Sequence, residues 1–284
     1  MDGSSANLYF APADGGTIFE WDVRESALNL AAVLARRPEA YHQTLLEAAE
    51  AAPEEGDGAQ GEVKTIHEGV RMKEPDLHER LYYDRHRRSS LRDHFLPHET
   101  TRDDLVRSFY EELGDFADGP YAAQAREDGD RVVVTLERTG RAGDVPCRLE
   151  KVVALAAGGS EVSVTWRLAN GGDSTIDCLF ASEWDLAFHA ADTTAVGEAL
   201  GQSLGEAHTI DAVRSFTLEG HYPPLRLRAE LAQAAALWSY PIEAVSNSEG
   251  GFERTYQGVC LTLLWPLRLA PGESTSFGLT WRRG

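Results

Sequence analysis

The chain has 284 residues, 42% hydrophobic and 26% charged, with 46 acidic against 27 basic residues and a formal charge of −19. That length buries a substantial core without metal or disulfide staples, and the acidic field repels phosphate backbones, so a nucleic-acid partner is not expected. Cys147, Cys178 and Cys260 are too few and too widely spaced for a disulfide scaffold or a CxxC site. With no leader-like segment and no apolar run of membrane length, the expectation is a cytoplasmic protein without a membrane partner.

Residues 1–7 read as a tag or linker, and 8–284 as one β-sandwich domain. Within it, 8–120 read as a mixture of strand, helix and irregular chain, and 121–284 as sandwich strands. Leu8-Tyr9-Phe10 and Thr17-Ile18-Phe19-Glu20-Trp21 are rich in β-formers, and Asp14-Gly15-Gly16 between them predicts a hairpin. A helix is predicted over Glu39 to Ala52, with Leu45, Ala48, Ala49 and Ala52 on one face. The acidic, glycine-rich stretch Pro53 to Gly61 reads as a solvated loop. A second helix starts near Thr101, where Asp104 completes a capping box; Leu105, Phe109 and Leu113 would form its apolar side.

From Ala122 the hydrophobic period becomes two. Arg131 to Leu136, Val162 to Leu168, Ile176 to Phe188, Leu225 to Arg228, Val259 to Trp265 and Phe277 to Trp281 all read as strands, and Pro271-Gly272-Glu273-Ser274 as a turn. Few helices and frequent glycine turns favour two packed antiparallel sheets and a mainly β fold. Trp166, Trp184, Trp238, Trp265 and Trp281 read as core or sheet aromatics before sugar platforms.

No GxSxG elbow, HExxH, P-loop or dinucleotide fingerprint occurs. Three polar constellations remain. Glu183 and Asp185 flank Trp184 and should share one sheet face, with His189 close behind. Such a pair can bind a cation such as calcium, orient hydroxyls or exchange protons, or it can be ordinary surface carboxylates. The segment Trp238 to Gly258 concentrates rings, carboxylates and amides: Trp238, Tyr240, Glu243, Asn247, Glu249, Glu253 and Tyr256 are candidate sugar contacts, with turn-making as the competing role. Four histidines from His67 to His94 fit no zinc spacing, and their interleaved arginines disfavour a cation. Arg85, His86 and Arg87 there are candidates for an interdomain surface or an ion-pair network.

The runs Thr17 to Asp22, Arg36-Arg37-Pro38-Glu39-Ala40-Tyr41-His42, Asp84 to Ser89 and Trp238 to Gly258 resemble the C-terminal region of glycoside hydrolase family 57 enzymes of the α-amylase and 4-α-glucanotransferase type. The resemblance runs from about Leu8 to Trp281 and is most specific in Ser246-Asn247-Ser248-Glu249-Gly250-Gly251-Phe252-Glu253. It implies a galactose mutarotase-like supersandwich that follows a catalytic (β/α)₇ barrel and a small helical domain in the parent enzyme. Retaining chemistry in that family uses a Glu nucleophile and an Asp acid/base on the barrel, set about 5 Å apart. No position here corresponds to them, so no catalytic residue is assigned and no cofactor is required. The expected role is a non-catalytic domain of an α-1,4-glucan-processing enzyme that supports the barrel and contacts α-glucan or maltooligosaccharide. Two alternatives are a purely structural docking domain and a mutarotase-like epimerase pairing Glu183 or Glu249 with His189 or His67.

Overall fold

In the computed structural model, residues 1–50, 71–195 and 202–284 are described. The elements run β1 (Ala6–Ala11), β2 (Thr17–Val23), β3 (Leu28–Asn29), α1 (Ala40–Glu50), β4 (Arg92–Leu96), α2 (Arg102–Val106), β5 (Ala122–Asp128), β6 (Arg131–Ala142), β7 (Val145–Ala156), β8 (Glu161–Asn170), β9 (Ile176–Leu186), β10 (Thr193–Ala195), β11 (Gln202–Ser203), β12 (His208–His221), β13 (Pro224–Ser248), β14 (Gly251–Leu269) and β15 (Ser274–Arg283).

Strand β13 organises the two sheets. Its Leu227–Leu231 half pairs with β15, which leads on through β8, β7 and β6 to β5. Its Ala236–Ser248 half pairs with β14, which leads to β9 and then β4. All pairings are antiparallel. The two arms face each other across an aromatic core: Trp166 of β8 lies 5.8 Å from Trp265 of β14, and Trp184 of β9 lies 5.4 Å from Trp281 of β15. Tilted and edge-on rings at these separations add attraction beyond their buried area. The mainly β, two-sheet architecture with short helices is the one the sequence predicts.

The β1–β2 hairpin forms as predicted, its turn carrying Gly15 and Gly16 at φ +66° and +58°. A side chain at Gly15 would meet the Ala117 carbonyl, so the turn needs glycine for space as well as for backbone angle. Residues 1–7, read as a linker, instead join the fold. Ala6 begins β1 and is buried, and the Ser4 and Ser5 hydroxyls donate to the Gly158 carbonyl.

Helix α1 turns Leu45 and Ala48 inward, together with His42, whose ring meets the Val245 carbonyl. Ala52, the loop Pro53 to Gly61 and His67 lie outside the described residues. Helix α2 has the predicted capping box, Thr101 with Asp104, but ends at Val106 because Ser108 takes a left-handed φ of 55°. Phe109, expected on its apolar side, is consequently 82% exposed.

Candidate functional site

One face of β9 packs into the aromatic core through Phe180, Trp184 and Leu186. Its other face carries Ala181, Glu183 and Asp185, so the predicted shared face of the two carboxylates is present. That face is not surface, however. The chain from Asp84 to Ser90 runs over it, β4 lies beside it with Arg92 opposite Glu183, and Tyr240 and Cys260 of the neighbouring strands close the remaining side. The reading of these acids as surface carboxylates is therefore corrected: Asp185 is 0% and Glu183 7% exposed.

Burying carboxylates demands compensating charge. Arg88 supplies it, placing Nη1 3.3 Å from Glu183 and 3.4 Å from Asp185 and Nη2 2.5 Å from Asp84. Asp84 also receives Arg36 through its backbone N–H at 2.7 Å and through both Nε and Nη2. Two guanidinia thus converge on one carboxylate. Burial pushes Asp84 upward, but the attraction of Arg88 and then Arg36 overrides it and holds the group at about 2. The adjacent pair splits. Burial and the neighbouring Glu183 charge push Asp185 well above the ordinary carboxylate range, whereas Glu183, although burial opposes it, is held down by Arg88 and His94.

His94 of β4 completes the cluster, with Nδ1 2.6 Å from Glu112 and Nε2 3.9 Å from Glu183. His86 stacks near it at 6.3 Å between ring centroids. Burial first, then the neighbouring Arg92 and His94, lower the His86 pKa to about 4, so it is neutral at physiological pH. On the core-facing side of β4, Asp93 pairs with Lys151 at 2.9 Å, both fully buried, and accepts the Trp166 indole N–H at 3.0 Å. This second pair is not legible in the sequence, because Lys151 opens an apolar run.

Glu183, Asp185 and Cys260 bring three potential metal-ligand atoms within 4.8 Å of one another. Calcium takes six to eight oxygens, and this set offers two carboxylates already engaged by Arg88. The Cys260 thiol, pushed up by burial and the two acids, is a poor donor besides. The residues present do not fit a calcium ion, and Arg88 is the cation they hold.

The remaining candidates disperse. His189 lies beyond β9, its backbone N–H held by Asp192, and makes no hydrogen bond to either acid. Arg85 and Arg87 are exposed and rest on the rings of Tyr110 and Phe19. Trp238 to Gly258 forms the paired arms of the β13–β14 hairpin. At roughly 3.3 Å per residue, Trp238 and Asn247 stand about 30 Å apart along it. Asn247 and Glu249 occupy its exposed tip, Glu253 pairs with Lys73, and Tyr256 is half-buried. Tyr240 and Glu243 line a common concavity. This cleft of about 280 Å3 runs between the hairpin and α2 and is also lined by Arg36, Arg80, Tyr82, Arg107 and Arg254.

Residues 1–277 match the family described as "Alpha-amylase/4-alpha-glucanotransferase, C-terminal". A 4-alpha-glucanotransferase of Thermococcus kodakarensis is 37% identical over 92% of this chain, which spans 36% of that relative's length. The crystal structure of 4-alpha-glucanotransferase from Thermococcus litoralis superposes on the whole chain with a TM-score of 0.75 at 27% identity, again over 38% of its own length. A galactose mutarotase-like protein from Lactobacillus casei covers the chain end to end with a TM-score of 0.58 at 8% identity, a likeness of fold alone. The chain therefore spans about a third of the length of the curated relatives it matches.

Proposed function

From its membership of the alpha-amylase/4-alpha-glucanotransferase C-terminal family, we propose that this chain is the non-catalytic C-terminal part of an α-1,4-glucan-processing enzyme, bracing the part that performs the chemistry. The observation that carries this reading is the match over residues 1–277 set against only 36% of the relative's length. The chemistry of the described residues supports it. Glu183, Asp185 and His94 cluster together but are packed shut, the two acids paired with Arg88 and His94 with Glu112. A hydrolytic pair needs a protonated carboxyl that reaches the glycosidic oxygen and an ionised one that reaches the anomeric carbon or a water beside it, both accessible to the sugar. Exposed Arg85 and Arg87 on their aromatic rings, near the exposed Phe109, suit a surface that docks another domain.

Incubation of the purified chain with maltoheptaose, followed by chromatography of the products, tests the reading. The expected result is an unchanged chain-length distribution; hydrolysis or disproportionation above buffer overturns it. Calorimetric titration with maltooligosaccharides separately decides whether the domain contacts glucan. The closure of the His94 and Glu183 pair, 3.9 Å apart and buried, speaks equally against the epimerase reading. Polarimetric relaxation of glucose, unchanged by the protein, would dispose of it, and acceleration abolished by Glu183→Gln would establish it.

A further inference from the structure

The chain from Arg71 to Ser90, which ends by covering Glu183 and Asp185, is attached to the sandwich differently from the strands around it. One 3₁₀ turn over Leu77–Arg80 is its regular structure, and it meets the sheets through isolated bridges near its two ends, Met72 with Phe252 and Ser90 with Ile18. Its backbone N–H groups donate outward at Lys73 to the Phe252 carbonyl (2.9 Å), at Asp84 to the Arg36 carbonyl (2.9 Å) and at Ser90 to the Ile18 carbonyl (3.0 Å). Strand β4 follows at once and is paired with β9 along all five of its residues. Leu91, between the two, takes a φ of 66°, left-handed backbone that a leucine adopts only at a cost. The strap and the sheet thus meet at a sharp boundary.

Side chains supply most of the attachment, and they are graded along the strap. At the hairpin tip Lys73 pairs with Glu253 and Glu74 with Arg254, all four partly exposed, and exposed pairs hold weakly. Leu77 then packs among Leu45, Val245 and Phe252, and the Tyr83 hydroxyl lies 3.2 Å from His42 Nδ1. Last come the buried contacts of Arg88 with Glu183 and Asp185. Removing a buried cation from its partners is ordinarily costly. Here, however, Arg88 also holds Asp84, four residues earlier in the same strap. That pair travels together, so a lifted strap keeps its arginine beside a carboxylate. Beneath it, lifting hydrates Asp185, whose charge burial opposes.

We infer that Arg71–Ser90 is a strap that opens as one unit about Leu91 while the sandwich stays folded, baring the Glu183–Asp185 face of β9 to solvent. The low-stability end of a fold is where irregular backbone meets few ladder hydrogen bonds, and such segments open below the free energy of global unfolding. The strap is then the removable wall of the acid cluster, and β4, Tyr240 and Cys260 are its fixed walls.

Native-state hydrogen exchange of the whole chain, followed residue by residue by NMR in increasing sub-denaturing urea, tests the inference. The Lys73 and Asp84 amides report on the strap, because both donate to carbonyls outside it. Amides of β9 and β14 report on the sandwich. Lys73 and Asp84 should share one opening constant, at least about tenfold larger than that of β9 and β14, with a shallower urea dependence because less surface is exposed. Val164→Ala, buried in β8, should speed exchange in β9 and β14 about tenfold and leave Lys73 and Asp84 unchanged, since the opened form keeps the core packed. Lys73 exchanging fast while Asp84 follows the sandwich means a frayed tip and overturns the inference. So does a single constant and urea slope for strap and sandwich, or a Val164→Ala effect that reaches both equally. If Val164→Ala does not fold, the wild-type constants and slopes decide alone.

Discussion

Replacing Asp84 with Asn probes the buried cluster at its most loaded point. The wild-type carboxylate accepts from Arg36 and Arg88 at once, and all three side chains are at most 5% exposed. Asparagine keeps the volume but removes the only negative charge that the two guanidinia share. Breaking a buried ion pair by removing one partner costs about 3–5 kcal/mol, which at roughly 2–4 °C per kcal/mol lowers Tm by about 6–20 °C. The neighbouring Asp185→Asn change should behave oppositely. Burial and the Glu183 charge raise the Asp185 pKa and disfavour its ionised form, so the amide removes an opposed buried charge and not a shared counter-ion. Stability equal to wild type or higher is expected. The two variants also separate in acid. Asp84 has a folded pKa of about 2 against an ordinary 3.8, so its contribution is fully present above the higher value and is lost as pH falls through the lower one. At about 1.4 kcal/mol per pH unit this amounts to about 2 kcal/mol. Chemical denaturation followed by circular dichroism, at neutral pH and between pH 4 and 2, measures all three proteins. If Asp84→Asn is as stable as Asp185→Asn, or keeps the wild-type acid slope, the charge assignment within the cluster is refuted.

Two further outcomes follow from the other buried groups. Lys151→Met should cost about 3–5 kcal/mol by leaving Asp93 unpaired, and adding Asp93→Asn should recover most of it in the same denaturation assay. Burial already raises the Asp93 pKa, and loss of Lys151 raises it further. A raised carboxyl favours folding below its unfolded pKa and loses that contribution as pH climbs, so the single-variant deficit should widen toward alkaline pH. The Cys147 and Cys178 thiols are pushed up to about 12 by burial, and burial likewise raises Cys260 well above the ordinary thiol range. No thiol should react with a disulfide reagent at mildly alkaline pH in the native protein, and all three should react in denaturant; reaction without unfolding would contradict the core assignment.

How far the sequence discloses this structure depends on whether the signal is local. Alternation in Val162 to Leu168 marks β8 because one face is apolar and the other is not, and the Thr101–Asp104 box marks α2 because both partners lie within one turn. Strand β4 escapes the same reading. Its Arg92-Asp93-His94-Phe95-Leu96 is buried on both faces, so polarity and exposure no longer go together. The shared face of Glu183 and Asp185 is legible from spacing alone, but the Arg88 that covers it is 95 and 97 residues away in sequence. Arg85 and Arg87 point outward while Arg88 points in, and nothing in Arg85-His86-Arg87-Arg88 distinguishes them. For the same reason Tyr240 and Glu243 read as members of a seven-residue sugar site, although their neighbours in the cleft come from Arg36, Arg80 and Arg107.

The buried charges of β4 have a consequence for specificity as well as for stability. Five residues pair this strand with β9: Arg92 with Glu183, Asp93 with Ser182, His94 with Ala181, Phe95 with Phe180 and Leu96 with Leu179. A purely apolar strand of that length would slide along β9 at little cost, because each shifted register still buries hydrocarbon. Slipping by one residue turns every side chain to the opposite face. Asp93 would leave Lys151 and the Trp166 indole, and His94 would leave Glu112 for the aromatic core. Each such move strands a charge in a medium where an unpaired ion costs several kcal/mol. A replacement of Lys151 and Asp93 by apolar residues could then match the wild type in stability, since well-packed hydrocarbon often equals a buried pair. What it would give up is the penalty on the wrong registers. Holding β4 in one register also holds Arg92 against Asp14 at the hairpin turn and His94 against Glu183, so the pairing of one short strand fixes the geometry of everything laid over β9.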